Sequence, residues 1–95
     1  MYGKGYQVFT SDAVLSASGK AVAVYGVNIS SDASAGKVIL RNGTTSSDTA
    51  VITLLGTASK GENFHFGGVG VVFPDGCFVD VDANVLSASV LFERC

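Results

Sequence analysis

Charged side chains are scarce in this sequence, tryptophan is absent, and proline occurs once. Only 15% of the 95 residues are charged, whereas a soluble domain usually carries about 25%. Basic residues stand singly between Lys4 and Arg94, and the net charge is −2. The continuous basic stripe that a nucleic-acid groove needs is therefore missing. So little surface charge predicts contact with other protein chains and no contact with nucleic acid.

Long apolar runs and helical patterns are also lacking. The longest apolar runs, such as residues 21–27, fall far short of the roughly 20 residues of a spanning helix, so no membrane contact is expected. The start of the chain has no basic region followed by an apolar stretch, and a signal peptide is not expected there. No window shows the i, i+3, i+4, i+7 apolar spacing of an amphipathic helix.

The chain has two cysteines, Cys77 and Cys95, and they allow two arrangements. Because no export signal is recognised, the default is two free thiols, with Cys77 buried as a small hydrophobic residue. A bridge between them would form instead if the C-terminal strand lay beside the Cys77 strand.

What the chain does have is a succession of short apolar or alternating runs separated by Gly, Asn, Asp and Ser. Such runs predict strands, which we place at residues 6–10, 13–17, 21–29, 37–41, 50–55, 63–66, 69–73, 77–81 and 86–93. Eight or nine strands at intervals of about 8–12 residues predict an all-β fold. We expect residues 1–95 to form a single antiparallel β-sandwich of jelly-roll type.

Strict alternation also predicts which side chains face the core. In the central strand, residues 21–29, it places Val22 and Val24 on the face opposite Val27 and Ile29. In the last strand it turns four side chains inward, those of Leu86, Ala88, Val90 and Phe92.

Pro74-Asp75-Gly76 predicts a tight turn, because proline presets φ, aspartate bonds to nearby backbone and glycine supplies positive φ. We expect this turn to join its two flanking strands as an antiparallel hairpin.

Groups that could carry out catalysis are few. His65 is the only histidine, and a general base needs a nucleophile and an orienting carboxylate that no motif supplies. We expect His65 to lie beside Asn63 on the polar face of a strand, with Phe64 and Phe66 on the other face.

Residues 67–70 look like a phosphate loop but satisfy neither glycine-rich nucleotide motif. No enzymatic activity, catalytic residue or cofactor is predicted.

Residues 80–84 resemble the first five positions of an EF-hand calcium loop, with oxygen-bearing side chains at alternate positions. The EF-hand pattern then needs Gly and Glu, where this chain has Val85 and Leu91. Asp75, Asp80 and Asp82 remain candidates for an incidental cation site only, and no metal site is predicted.

Tyr2, Tyr6 and Tyr25 are candidates for a carbohydrate-stacking platform. Packing in the core or at a subunit interface suits them better, because Tyr25 lies in a run that is apolar on both faces.

Three segments, residues 25–29 (YGVNI), 35–43 (AGKVILRNG) and 70–79 (GVVFPDGCFV), resemble small virion proteins of tailed bacteriophages, especially marine and cyanobacterial ones. The resemblance covers residues 20–93. It implies a multicopy β-sandwich at the virion surface, made in the host cytoplasm. Such a protein would be a capsid decoration (cement) protein bound to the major capsid protein lattice, or a tail or fibre component. It would be a homo-oligomer, with a trimer as one option, and the resemblance carries over no catalytic residue.

Two segments are candidates for contact with neighbours in such a particle. Residues 1–10 are the first, as an interface arm or edge strand, because glycines precede a strand there; residues 86–95 are the second. Unpaired strand edges can bind a neighbouring strand by β-augmentation. The alternative function is a tail- or fibre-associated module that binds carbohydrate or the host surface.

Overall fold

The computed structural model describes residues 5–94, which form nine β-strands in two sheets. The strands are β1 (Gly5–Phe9), β2 (Ala13–Ser16), β3 (Val22–Ser31), β4 (Lys37–Asn42), β5 (Thr49–Leu55), β6 (Gly61–His65), β7 (Val71–Phe73), β8 (Cys77–Val81) and β9 (Val85–Arg94). No helix forms in this part of the chain, and so none that could cross a membrane. The all-β class predicted from the sequence is confirmed.

The order of the strands is that of a jelly roll. Sheet A runs β1-β9-β3-β6, with the short β7 also paired to β3, and sheet B runs β2-β8-β4-β5. All of the pairs are antiparallel. The chain passes repeatedly from one sheet to the other, and β4–β5 is the one hairpin among the described strands. Eight strands in two sheets make the jelly roll, and β7 is an addition to them.

The core lies between the inner faces of the two sheets. It is built mainly from β-branched and aromatic residues at alternate strand positions, the side chains that fit a pleated surface best. The largest fully buried side chains are those of Val22, Val24, Ile29, Val38, Leu40, Phe73, Val79 and Val90.

A β-bulge in β3 changes the faces predicted for that strand. The partner strand β9 has no residue opposite Tyr25, and one inserted residue shifts the alternation by one. Val22 and Val24 are consequently buried in the core together with Val27 and Ile29. The prediction that these two pairs lie on opposite faces is wrong.

A second bulge lies at the start of β9. No residue of β3 is opposite Leu86, whose side chain is 61% exposed. Ala88, Val90 and Phe92 are buried as predicted, but the inward orientation predicted for Leu86 is wrong because strict alternation ignores the inserted residue.

The turn at residues 74–76 connects the two sheets and does not form a hairpin. β7 pairs with β3 in sheet A, whereas β8 pairs with β2 and β4 in sheet B. Gly76 has the predicted positive φ, 105°. Asn42 fixes the turn, because its side chain accepts a hydrogen bond from the Asp75 N–H at 2.9 Å and donates one to the Asp75 carboxylate at 3.1 Å. Turn residues specify a reversal of the chain, but not the sheet that the next strand joins.

Candidate functional site

The outer face of sheet A carries two adjacent rows of side chains that cross β1, β9, β3 and β6. The first row is Tyr6, Leu91, Gly26 and His65, and the second is Val8, Ser89, Asn28 and Asn63. The rows follow from strand register, so they bring together residues that are up to 85 positions apart in the sequence.

A shallow groove lies in these rows, and we call it the sheet A groove. It has a volume of about 50 Å³ and runs past Gly26 between Tyr6 and His65. A Cβ atom on Gly26 would lie 2.8 Å from the Phe64 carbonyl oxygen, so any larger residue would displace β6 as well as fill the groove. Pockets that enclose a small molecule usually measure about 300–1,000 Å³. The groove can therefore hold one small group and not an enclosed substrate.

His65 lies on the groove rim, exposed and on the same face as Asn63, as the sequence predicted. The Asn28 side-chain amide donates a hydrogen bond to the Asn63 side-chain oxygen at 2.5 Å. Within residues 5–94, no carboxylate or hydroxyl is hydrogen-bonded to His65. The groove thus presents two paired amides and an exposed imidazole.

The three aspartates considered for a cation site each have a different partner. Asp80 forms an ion pair with Arg41 at 3.0 Å, and Asp82 accepts a hydrogen bond from the Asn84 N–H at 2.9 Å. Asp75 belongs to the turn described above. The described residues contain no group of three or more potential metal ligands.

Asp48 organises the loop between β4 and β5, a role that the sequence analysis missed. Its carboxylate accepts hydrogen bonds from the N–H groups of Thr45 and Thr44, both at 2.9 Å, and from the Thr45 hydroxyl at 3.0 Å. These bonds, the Thr45 N–H first, lower the pKa of Asp48 below its ordinary value of 3.8. Arg41 also donates to the Asp48 carbonyl oxygen. A Thr-Thr-x-x-Asp spacing after a turn glycine was the available signal.

The glycine-rich segment, residues 67–70, leads into β7 and not into a helix.

The three tyrosines considered for a carbohydrate-stacking platform lie in different environments. Tyr6 is 72% exposed, whereas Tyr25 is half-buried and its hydroxyl donates to the Glu93 carboxylate at 2.9 Å. Tyr2 lies outside the described residues. Tyr6 is therefore the tyrosine that the sheet A groove offers to a partner.

Cys77 is a free, fully buried thiol on the inner face of β8, as predicted. Burial raises its pKa from the ordinary 9.0 to about 12, which keeps the reactive thiolate form rare at neutral pH. The predicted alternative, a bridge to Cys95, involves a residue outside those described.

Exposed apolar side chains are concentrated on the strands at the sheet edges. Eight large hydrophobic side chains are exposed in the described part of the chain, and β1, β2, β5 and β7 carry six of them. The six are Tyr6, Val8, Val14, Val51, Leu55 and Val72. The five edge strands contain a single charged residue, Glu62 of β6. Unpaired edges of this composition are templates for pairing with another chain.

The edges of the two sheets differ in regularity. β1 and β6, at the edges of sheet A, pair with their neighbours over five consecutive residues without a bulge. In sheet B, β2 is interrupted at Leu15 and β5 at Val51, and bulges hinder further pairing. Residues 5–9 of the predicted 1–10 segment thus form a regular edge strand, and residues 1–4 lie outside the described part.

Comparison with known proteins gives a likeness of fold. No protein-family model and no curated protein matches the sequence. Among solved structures, the chain is similar to a protein of Bacillus endospore appendages, which are described as a novel family of disulfide-linked pili. The two share 14% sequence identity and a TM-score of 0.54, over 99% of this chain and 84% of that one. At this identity the likeness extends to the β-sandwich fold alone.

Proposed function

We propose that this chain is a non-enzymatic structural subunit of a tailed-phage virion, most specifically a capsid decoration protein on the major capsid protein lattice. The observation that carries the proposal is the placement of apolar side chains on edge strands that are almost free of charge. The resemblance of residues 20–93 to small virion proteins supports the virion surface as the proposed location.

Adhesion of this kind has modest physical requirements. A decoration protein binds at many equivalent sites through flat, complementary patches, and it needs neither a pocket nor a cofactor. Val8 and Leu55 are 60% and 67% exposed, and burying such side chains stabilises a contact by roughly 25 cal/mol per Å² of apolar surface. Short side chains such as Val, Thr and Ser also lose little rotamer entropy when a contact forms.

A fibre or tail subunit is the second candidate. The structural likeness to a protein of Bacillus endospore appendages supports it, because these appendages are described as forming disulfide-linked pili. A disulfide from Cys77 to a neighbouring subunit is disfavoured here, since the thiol is fully buried.

Binding of carbohydrate or a host surface by a tail- or fibre-associated module is a third candidate. The exposed Tyr6 ring beside the Asn28–Asn63 amide pair supports it, because sugars stack on aromatic rings and bond to amides. The groove volume of about 50 Å³ limits such a site to the edge of one sugar.

Immunogold electron microscopy tests the proposal. An antibody raised against the recombinant chain is applied to purified phage particles that encode it, with preimmune serum as the control. Regular labelling over the capsid is the expected result. Labelling restricted to the tail would favour the second or third candidate, and particles without the chain would refute a structural role in the virion.

A further inference from the structure

We propose that copies of this chain pair side by side through sheet A, with β1 of one copy against β6 of the next. The inference rests on the proposed role as an assembly subunit and names the contact by which a subunit would bind a second copy of itself.

Strand direction is the first argument. Sheet A contains four strands along the path β1-β9-β3-β6, and each pair is antiparallel. The strands at its two edges therefore run in opposite directions. When one copy is shifted sideways without being turned over, its β1 meets β6 of the neighbour in an antiparallel orientation, and both backbones can form the ladder that antiparallel pairing requires.

Side-chain rows are the second argument. β1 and β6 have the same length, five residues, and lie at the two ends of the rows across the outer face. Continuing the rows into a neighbour places Tyr6 beside His65 and Val8 beside Asn63. No like charges would meet, and the exposed Tyr6 and Val8 side chains of β1 would be partly covered.

The edge strands of sheet B are less suited to pairing with a second copy than those of sheet A. Its edge strands run in opposite directions for the same reason, but both contain bulges. Bulges are a means by which proteins prevent edge pairing. The regular ladders of sheet A make it the sheet that continues from copy to copy.

Such a contact is heterologous, because each copy contributes β1 on one side and β6 on the other. Heterologous contacts close into rings or continue as filaments, depending on the rotation between copies. A contact of β1 with β1 would instead stop at a dimer.

Light scattering on edge-blocked variants tests the inference. The first variant carries Tyr6→Lys and Val8→Lys on β1, and the second carries Asn63→Lys and His65→Lys on β6. All four side chains are exposed, so both variants should fold, which circular dichroism checks. The matched control is Leu86→Lys, an equally exposed apolar residue on a strand that is not at an edge.

The wild type and the control should show a mass that rises with concentration, and each edge variant alone should be a monomer. An equimolar mixture of the two edge variants should form dimers, because β6 of the first and β1 of the second remain intact. The inference is wrong if the wild type stays monomeric, if either edge variant assembles like the wild type, or if the mixture stays monomeric.

The two proposals can fail separately. The wild type and each edge variant are also added to purified particles stripped of the native chain. Binding of monomeric wild type to these particles would retain the structural role and remove the pairing of copies. Self-association without binding to the particles would do the reverse.

Discussion

Replacement of Gly76 by alanine is the sharpest test of the packing at the turn between the sheets. Gly76 has a φ of 105°, and an added Cβ would lie 2.8 Å from the carbonyl oxygens of Ser16 and Ala17. Both contacts are with backbone atoms, which cannot rotate away as a side chain can. Gly76→Ala therefore introduces a strained φ and a steric clash at the same place.

The contributions of φ strain and steric clash to the loss of stability can each be estimated. A non-glycine residue in a sparsely populated φ region costs about 1–3 kcal/mol, and overpacking that shifts backbone costs about 1–3 kcal/mol more. Alanine also restricts the unfolded chain, which offsets about 0.4–1 kcal/mol. We expect the free energy of unfolding to fall by about 3 kcal/mol. For a domain of this size, Tm should fall by about 12–24 °C.

Gly19→Ala is the matched control. Gly19 also has a positive φ, 74°, but no atom lies within 4 Å of its added Cβ. This variant should lose about 0.5–1 kcal/mol, because a φ strain of about 1–2 kcal/mol is partly offset by restriction of the unfolded chain. Urea denaturation followed by far-UV circular dichroism measures both variants, with the slope m as a check that the unfolded states are comparable. Equal losses for the two variants would refute the clash argument.

The remaining predictions concern the core, the ion pair and the buried thiol. Phe73→Ala should lower the free energy of unfolding by about 3–5 kcal/mol in urea denaturation, because the ring is fully buried; a loss under 1 kcal/mol would contradict this. A double-mutant cycle with Arg41→Ala and Asp80→Asn should give a coupling of about 1 kcal/mol, since two guanidinium nitrogens bond to one partly exposed carboxylate, and independent effects would contradict it. In a Cys95→Ser background, Cys77 should react with a disulfide reagent only upon unfolding. Because folding raises the pKa of this thiol from 9.0 to about 12, its contribution to stability is complete below pH 9 and is lost as pH rises toward 12. A Cys77→Ala variant should then lose less stability over that range, and rapid labelling of the native chain would contradict the burial.

Strand positions could be predicted from the sequence because each run of apolar residues is short and ends at a turn signal. Cys77–Val81 is an instance in which the observed bounds equal the predicted ones. The errors in the face that a side chain takes occur where one residue is inserted. Nothing in the local pattern marks Tyr25 or Leu86 as the residue without a partner, since a bulge is fixed by how two distant strands align.

The candidate site was less accessible to prediction than the fold. The exposure of His65 and Asn63 on one strand face followed from alternation, but the groove between them and Tyr6 depends on the order β1-β9-β3-β6. Strand order arises from contacts between segments far apart in the chain, and no periodicity encodes it. The Arg41–Asp80 ion pair was missed for the same reason, because its members lie on two strands paired across sheet B.

The position of β9 has a consequence for how the chain reaches its native state. β9 is last among the nine strands in sequence, yet it lies inside sheet A between β1 and β3. Sheet A therefore cannot close until this strand inserts, and β1 has no partner before then. β4–β5 is the pairing that can form early from neighbouring residues. Folding rates fall as contacts become more distant in sequence, so refolding should take milliseconds to seconds, and a chain shortened before β9 should not fold.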